Sequence, residues 1–335
     1  MTWAPHVRPL GQTLDVVGVG EAMLLLQAPP PQGLSSAQAL EVHVAGAEFN
    51  TCAAVARFGG SAALLTRVGD DPPGRRILSE MSNLGISTNL CAVDPVNPSG
   101  IFLRETPMDG SRKVTYYRKG SAASQMTESD AQRLSDLPTP RALLLSGLTA
   151  ALGRGPRRLL EQLAHEAANN NIAVIVDANL RPGLGNLDET LQMLHSLLPL
   201  TDLLVLGDDE SEALFASSEP TLVLAAADQA GVGETVLKGG SRGCWYLDED
   251  GALAHQEPLA ETIVDTVGAG DAFLGGYISG RLSGADRKLS VELGSRIAGA
   301  VIAAPGDTRG LPTVSEAKSL IRKIVPPGAQ RRQSR

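Results

Sequence analysis

Short apolar runs alternate along this chain with longer amphipathic stretches. Residues 14–20 form a valine-rich run closed by glycine and predict a buried strand. Comparable runs at 62–68, 142–146, 173–177, 203–206 and 234–238 predict further strands. Helical spacing fills the gaps at 47–58, 74–84, 157–169, 187–198 and 209–216. Gly59-Gly60 stops the first of these helices and Gly85 the second. Strands that alternate with helices imply right-handed βαβ units, hence a mostly parallel sheet with helices on both faces.

Two segments break this rhythm. Residues 23–44 and 99–119 look strand-like but are not followed by helices. In the second, the strand at 100–104, a Met108-Asp109-Gly110 turn and the strand at 113–117 predict a hairpin. Together the two excursions predict a small β lid, from about 23–45 and 98–120, poised over the strand ends to exclude water. Pro29-Pro30-Pro31 reads as a short stiff loop, and no internal repeat is present.

Composition narrows the class. A 335-residue chain that is 43% hydrophobic can bury a sizeable α/β core, and 20% charged residues argue against disorder. The net charge of −8 gives no basic face for nucleic acid; Arg331, Arg332 and Arg335 form the locally basic stretch and read as a frayed end. Cys52, Cys91 and Cys244 are far apart, with no paired spacing for zinc or a disulfide framework, and read as small buried hydrophobes. No signal-like or membrane-length apolar run occurs, so a reduced, cytoplasmic protein is expected.

The most informative string is Asp265-Thr266-Val267-Gly268-Ala269-Gly270-Asp271-Ala272-Phe273, opening a helix that runs to about Leu282. Glycines just before a helix let backbone N–H groups converge on one point, and the helix N-terminus adds partial positive charge. The result is an anion hole suited to a phosphoryl group. Asp271 falls in the first turn beside it, where a carboxylate can take a proton from a hydroxyl; an acid there can also be no more than a cap.

This string closely resembles the signature of the ribokinase-like, phosphofructokinase B type sugar kinases. Further similarity lies in Gly18-Val19-Gly20-Glu21, in Ala45-Gly46-Ala47-Glu48-Phe49-Asn50, in Val68-Gly69-Asp70-Asp71 with Gly74, and in Leu237-Lys238-Gly239-Gly240-Ser241-Arg242-Gly243. The resemblance implies a single domain over 1–335, three-layered α/β/α, carrying the β lid, and ATP-dependent phosphorylation of a sugar. It implies Asp271 as catalytic base, with Gly268, Ala269 and Gly270 holding the transferring phosphate. It implies an ATP loop of Lys238, Gly239, Gly240, Ser241 and Gly243, reached also by Gly268 and Gly270. Glu210 matches an acid linked to Mg2+ through water, although Gly207 stands where the family has asparagine. A monovalent cation such as K+ is implied near Asp265, the carbonyl of Val267 and the loop 305–307. Association of two copies through the lid is implied as well, and would cover an open strand edge.

Two more segments bear on the sugar. Tyr116-Tyr117-Arg118-Lys119-Gly120-Ser121-Ala122-Ala123-Ser124 and Asp177-Ala178-Asn179-Leu180-Arg181-Pro182 resemble segments of 2-keto-3-deoxygluconate kinases, as does Ser146-Gly147-Leu148-Thr149. By that resemblance Arg118 and Arg181 hold the substrate carboxylate, while Gly46, Asn50, Phe102, Tyr116 and Asn179 line the rest of its site. A guanidinium matches a carboxylate with two parallel hydrogen bonds. Phe102 replaces a tyrosine and Gly185 a tryptophan common in the acid-sugar kinases, which keeps fructokinase- or ribokinase-type activity open. A non-catalytic sugar- or nucleotide-binding regulator on the same fold is the alternative from another class. No GxxxxGK[ST], HExxH or complete dinucleotide fingerprint is present.

Overall fold

Val16–Val19 and Ala142–Ser146 are buried at every position, as strands enclosed on both faces must be. They lie at the middle of a ten-stranded sheet. From one edge its order is Leu253–Gln256, Cys244–Leu247, Glu234–Lys238, Leu203–Gly207, Ala173–Asp177, Ala142–Ser146, Val16–Val19, Ala62–Gly69 and Ile86–Ser87, with Cys91–Asp94 also pairing to Ala62–Gly69. All pairings are parallel except the two that attach the edge strands Cys244–Leu247 and Leu253–Gln256. The structure, a computed structural model, describes residues 3, 6, 7, 9–29, 31–105 and 113–324; the turn expected at 108–110 and the basic C-terminal stretch fall outside these.

Helices cover both faces. One face buries Phe49, Phe273, Tyr277 and Ile297 with their neighbours, and the other buries Leu159, Leu163, Met193 and Val223. This is the expected three-layer arrangement. The helix Ala269–Leu282 packs tightly on Ala47–Arg57: a Cβ at Gly275 would lie 2.4 Å from the Cβ of Ala54. The expected helices form with boundaries shifted by a few residues. Asp71 caps Pro72–Asn83 by accepting from the N–H of Gly74 at 2.7 Å, so that helix begins two residues before the expected glycine.

The two irregular segments meet as a separate four-stranded sheet ordered Glu41–Ala45, Met23–Gln27, Ile101–Glu105, Lys113–Tyr117. Ile101–Glu105 and Lys113–Tyr117 pair antiparallel, as the hairpin reading expects, while Met23–Gln27 and Ile101–Glu105 pair in parallel. Strand alternation turns Leu25, Phe102 and Arg104 inward and buries them. Leu40, Val42, Val114 and Tyr117 remain exposed.

Candidate active site

The parallel strands end along one edge of the main sheet, the usual place for a ligand crevice in such folds. Below the lid at this edge is a cavity of about 370 Å³, whose wall includes Gly46, Asn50, Phe102, Arg104, Tyr116, Arg118, Asp177, Asn179, Arg181, Glu210, Lys238, Val267, Gly268, Gly270, Asp271 and Asp307. The structure therefore gathers every residue expected on the sugar side. Of the expected nucleotide loop, Lys238 reaches the cavity. Gly239, Gly240, Ser241 and Gly243 form the turn beyond it, held by the Arg242–Asp208 pair at 2.5 Å and by Arg242 lying 5.0 Å from the Trp245 ring. A neighbouring cavity of about 440 Å³ shares Arg181, Glu210 and Lys238 with the first and extends along Gly207–Asp209.

The helix Ala269–Leu282 delivers Asp271. Gly268 caps it with φ +76°, a conformation that side-chain-bearing residues rarely adopt, and a Cβ there would lie 2.7 Å from the carbonyl oxygen of Asp307. Ala272 makes the first helical hydrogen bond back to Gly268, so the N–H groups of Ala269 and Gly270 precede the helical ladder at the cavity end. Asp271 Oδ2 accepts from Asn50 Nδ2 at 2.8 Å. Burial pushes the Asp271 carboxyl up to about 8; Asp177 and Asp307 repel its charge, while the Asn50 hydrogen bond and Lys238 favour it. A carboxyl in that range exchanges a proton near neutral pH, which suits a general base.

Around it stands a second set of charges. Lys238 Nζ lies 3.5 Å from Asp177 Oδ1. Burial opposes the ammonium, but Asp177, Glu210 and Asp271 outweigh it and raise its pKa. Asn179, two residues along from Asp177, has φ +35° and donates to Asp177 at 3.3 Å, a strained backbone position in the cavity wall. Glu210 accepts from the N–H of Gly207 at 2.6 Å and from that of Leu180 at 3.1 Å. Burial raises its pKa, with Asp177 adding to the rise and Lys238 opposing it.

On the lid side Arg118 is buried, and both its Nε and Nη2 approach Glu21 Oε2, at 2.7 and 2.6 Å. Its Nη1 is buried without a hydrogen-bond partner. Phe102 and Tyr116 pack with ring centroids 5.6 Å apart. Arg181 is exposed at the rim and donates to its neighbour's carbonyl, that of Leu180, at 3.0 Å. Asp265 is buried and accepts from the N–H of Val267 at 3.1 Å.

The sequence pattern of pfkB family carbohydrate kinases matches residues 13–314. The chain belongs to this family. It is 30% identical to a 2-dehydro-3-deoxygluconokinase of Thermoproteus tenax over 320 residues, 94% of this chain and 97% of that one. Among solved structures it resembles a PfkB protein from Polaromonas sp. JS666, at 30% identity and TM-score 0.80, covering 91% of this chain and 99% of the other. A ribokinase II from E. coli solved with ATP and Mg2+ shares the fold at 21% identity and TM-score 0.83, covering 92% and 99%.

The protein is thus a phosphotransferase that acts on a sugar hydroxyl, and pfkB kinases use ATP. The donor set fits Mg2+ entering with the nucleotide: among the described residues no group of three or more His, Cys, Asp or Glu gathers as a metal cage, and Mg2+ ordinarily takes one or two carboxylates plus phosphate oxygens. Glu210, on the wall shared by both cavities, is a carboxylate that could take that part. Among the described residues no helix is long and apolar enough to cross a membrane.

Three residues of this kinase site escaped the sequence reading as individual contributors: Asp177, Arg104 and Asp307. Asp177 ends a buried strand, a position that in itself signals a site in a parallel sheet. Arg104 follows Phe102 by two residues and so shares its lid face. Asp307 entered only as part of the loop 305–307, through the resemblance and not through any local pattern.

Proposed function

We propose that this kinase transfers the γ-phosphate of ATP to the terminal hydroxyl of 2-keto-3-deoxygluconate, giving the 6-phosphate. The observation that carries the reading is Arg118: a buried guanidinium in the lid wall of the cavity, with Nη1 unpartnered, in the same cavity as Asp271. A buried donor without a partner costs stability and is matched by a ligand acceptor such as a carboxylate. Arg181 at the rim offers a second guanidinium. The kinship with a 2-dehydro-3-deoxygluconokinase points the same way.

In this mechanism the sugar lies beneath the lid on Gly46, Asn50, Phe102, Tyr116 and Asn179. Asp271 accepts the hydroxyl proton on Oδ1, since Oδ2 is engaged by Asn50. The N–H groups of Ala269 and Gly270 receive the transferring phosphoryl oxygens, and the closed turn at Gly268 fixes their direction. Lys238 brings positive charge between Asp177 and Asp271. The turn Gly239–Gly243 would carry the nucleoside, and Glu210 would help to hold a nucleotide-borne Mg2+, which would supply positive charge against the phosphates. The exposed Leu40, Val42 and Tyr117 support pairing of two copies through the lid, which light scattering tests directly.

Glu21 already opposes the charge of Arg118, and this favours a second reading, a neutral ketose kinase. ADP release with MgATP decides between them across 2-keto-3-deoxygluconate, 2-keto-3-deoxygalactonate, fructose, ribose and adenosine. Turnover confined to the keto-deoxy acids supports the arginine assignment. Turnover on fructose or ribose alone overturns it and leaves Asp271 as base.

A further inference from the structure

The strand Ile101–Glu105 of the lid reaches down to the turn at Gly268 through one side chain. Arg104 is 2% exposed. Its Nη1 lies 2.7 Å from Asp307 Oδ1 and its Nη2 lies 3.2 Å from Asp307 Oδ2, a bidentate pair. Nη1 also approaches Asp265 Oδ2 at 3.6 Å. These are the side chains that bracket the phosphoryl turn: Asp265 precedes it, and the carbonyl of Asp307 packs against Gly268. Asn50 joins the same group, donating to Asp271 at 2.8 Å and approaching Asp307 at 3.5 Å.

Two carboxylates, Asp265 and Asp307, therefore flank a turn built to receive an anion. Without a counter-charge they would repel the phosphate in a poorly screened environment. The resemblance places a monovalent cation here, held by Asp265, Val267 and the loop 305–307. The donor set does not fit one well, because a guanidinium already occupies the oxygens of Asp307 and lies within 3.6 Å of Asp265, so a cation on those carboxylates would face a like charge across a dry wall.

We propose that Arg104 takes the place of the monovalent cation, so that this kinase binds nucleotide and turns over without K+. Because Arg104 lies on the lid strand Ile101–Glu105, the compensating charge is supplied by the lid. Arg104 is a positioning residue: it acts on the turn through Asp265 and Asp307. The inference rests on Asp271 and the turn Gly268–Gly270 forming the phosphoryl-transfer centre, and does not depend on which sugar is used.

The test compares KCl with choline chloride at equal ionic strength. Thermal unfolding reports cation binding directly, since a bound ion raises the midpoint and needs no nucleotide; calorimetry with MgADP reports the phosphate site. The unaltered protein is expected to unfold at the same temperature and to bind MgADP within about twofold in both salts. Arg104→Met is expected to weaken MgADP by about tenfold or more in choline and to regain part of that loss in KCl, as the exposed carboxylates become a cation site. If that variant is too unstable, Arg104→Met with Asp307→Ala removes the main uncompensated carboxylate, and MgADP affinity in choline is expected to recover in part and no longer to respond to K+; no recovery overturns the proposal. An unaltered protein whose unfolding midpoint and MgADP affinity rise with K+ overturns the proposal. So does an Arg104→Met variant that behaves as the unaltered protein in both salts. Failure to bind MgADP in either salt counts against the transfer centre itself, while the unfolding comparison still decides on Arg104.

Discussion

Asn50 Nδ2 donates to Asp271 Oδ2 at 2.8 Å, tying the helix Ala47–Arg57 to the acid in the first turn of Ala269–Leu282. The bond favours the ionised form of a carboxyl that burial raises, and with the bond in place it stands at about 8. The kcat/KM of the kinase is therefore expected to rise with pH along a limb near that value. Asn50→Ala removes the donor and is expected to move the limb to higher pH. A limb that stays in place in the variant would show that Asn50 does not tune the acid.

Asp271→Asn is expected to lower turnover by about 10²–10⁴ while leaving the fold intact. Its stability follows from linkage. The folded carboxyl titrates about 8, the unfolded one near ~3.9, so between these values the folded state holds the extra proton and loses stability as pH rises. The variant lacks this loss. Its melting temperature is expected to exceed that of the parent by a margin that widens between about pH 5 and pH 8. Equal margins at both values would mean that the carboxyl titrates in the ordinary range.

Gly268→Ala forces a side chain into φ +76° and against the Asp307 carbonyl oxygen at 2.7 Å. A destabilisation of about 1–3 kcal/mol is expected in urea unfolding, together with weakened MgADP binding, because the N–H groups of Ala269 and Gly270 lose their aim. Wild-type affinity in a destabilised variant would separate the turn from nucleotide binding.

Arg118→Met leaves Glu21 buried without its partner, at a cost of about 3–5 kcal/mol. Adding Glu21→Gln is expected to restore most of that stability. The double variant should still lose about 10- to 100-fold in kcat/KM for 2-keto-3-deoxygluconate. Unchanged kcat/KM for the sugar acid would assign Arg118 to holding Glu21 alone.

Much of this was legible before the structure. The continuous apolar runs and the helical spacing between them marked out the parallel core, because strands such as Ala142–Ser146 and Ala173–Asp177 are apolar at nearly every position and end abruptly in polar residues. The Gly268–Asp271 string located the acid, since glycine placement and helix onset are local properties of sequence. The edge strands Cys244–Leu247 and Leu253–Gln256 went unread because four residues of alternation are too short a signal. Pro220–Gln229 was missed because its mostly apolar run shows little periodicity, although proline at its start marks a helix. The pairings Arg118–Glu21 and Arg104–Asp307 were invisible for another reason: their partners lie far apart in sequence, and nothing local to an arginine names the carboxylate it will meet.

The lid has a further consequence for how the chain acquires its shape. Met23–Gln27 pairs in parallel with Ile101–Glu105, and between them the chain builds three strands and two helices of the main body. Closing so long a loop has an entropic cost that only the finished body can offset, so these strands are expected to zip together late. A nascent or partly unfolded molecule would then carry a formed sheet and an unformed crevice, and amide exchange would find the lid strands opening first.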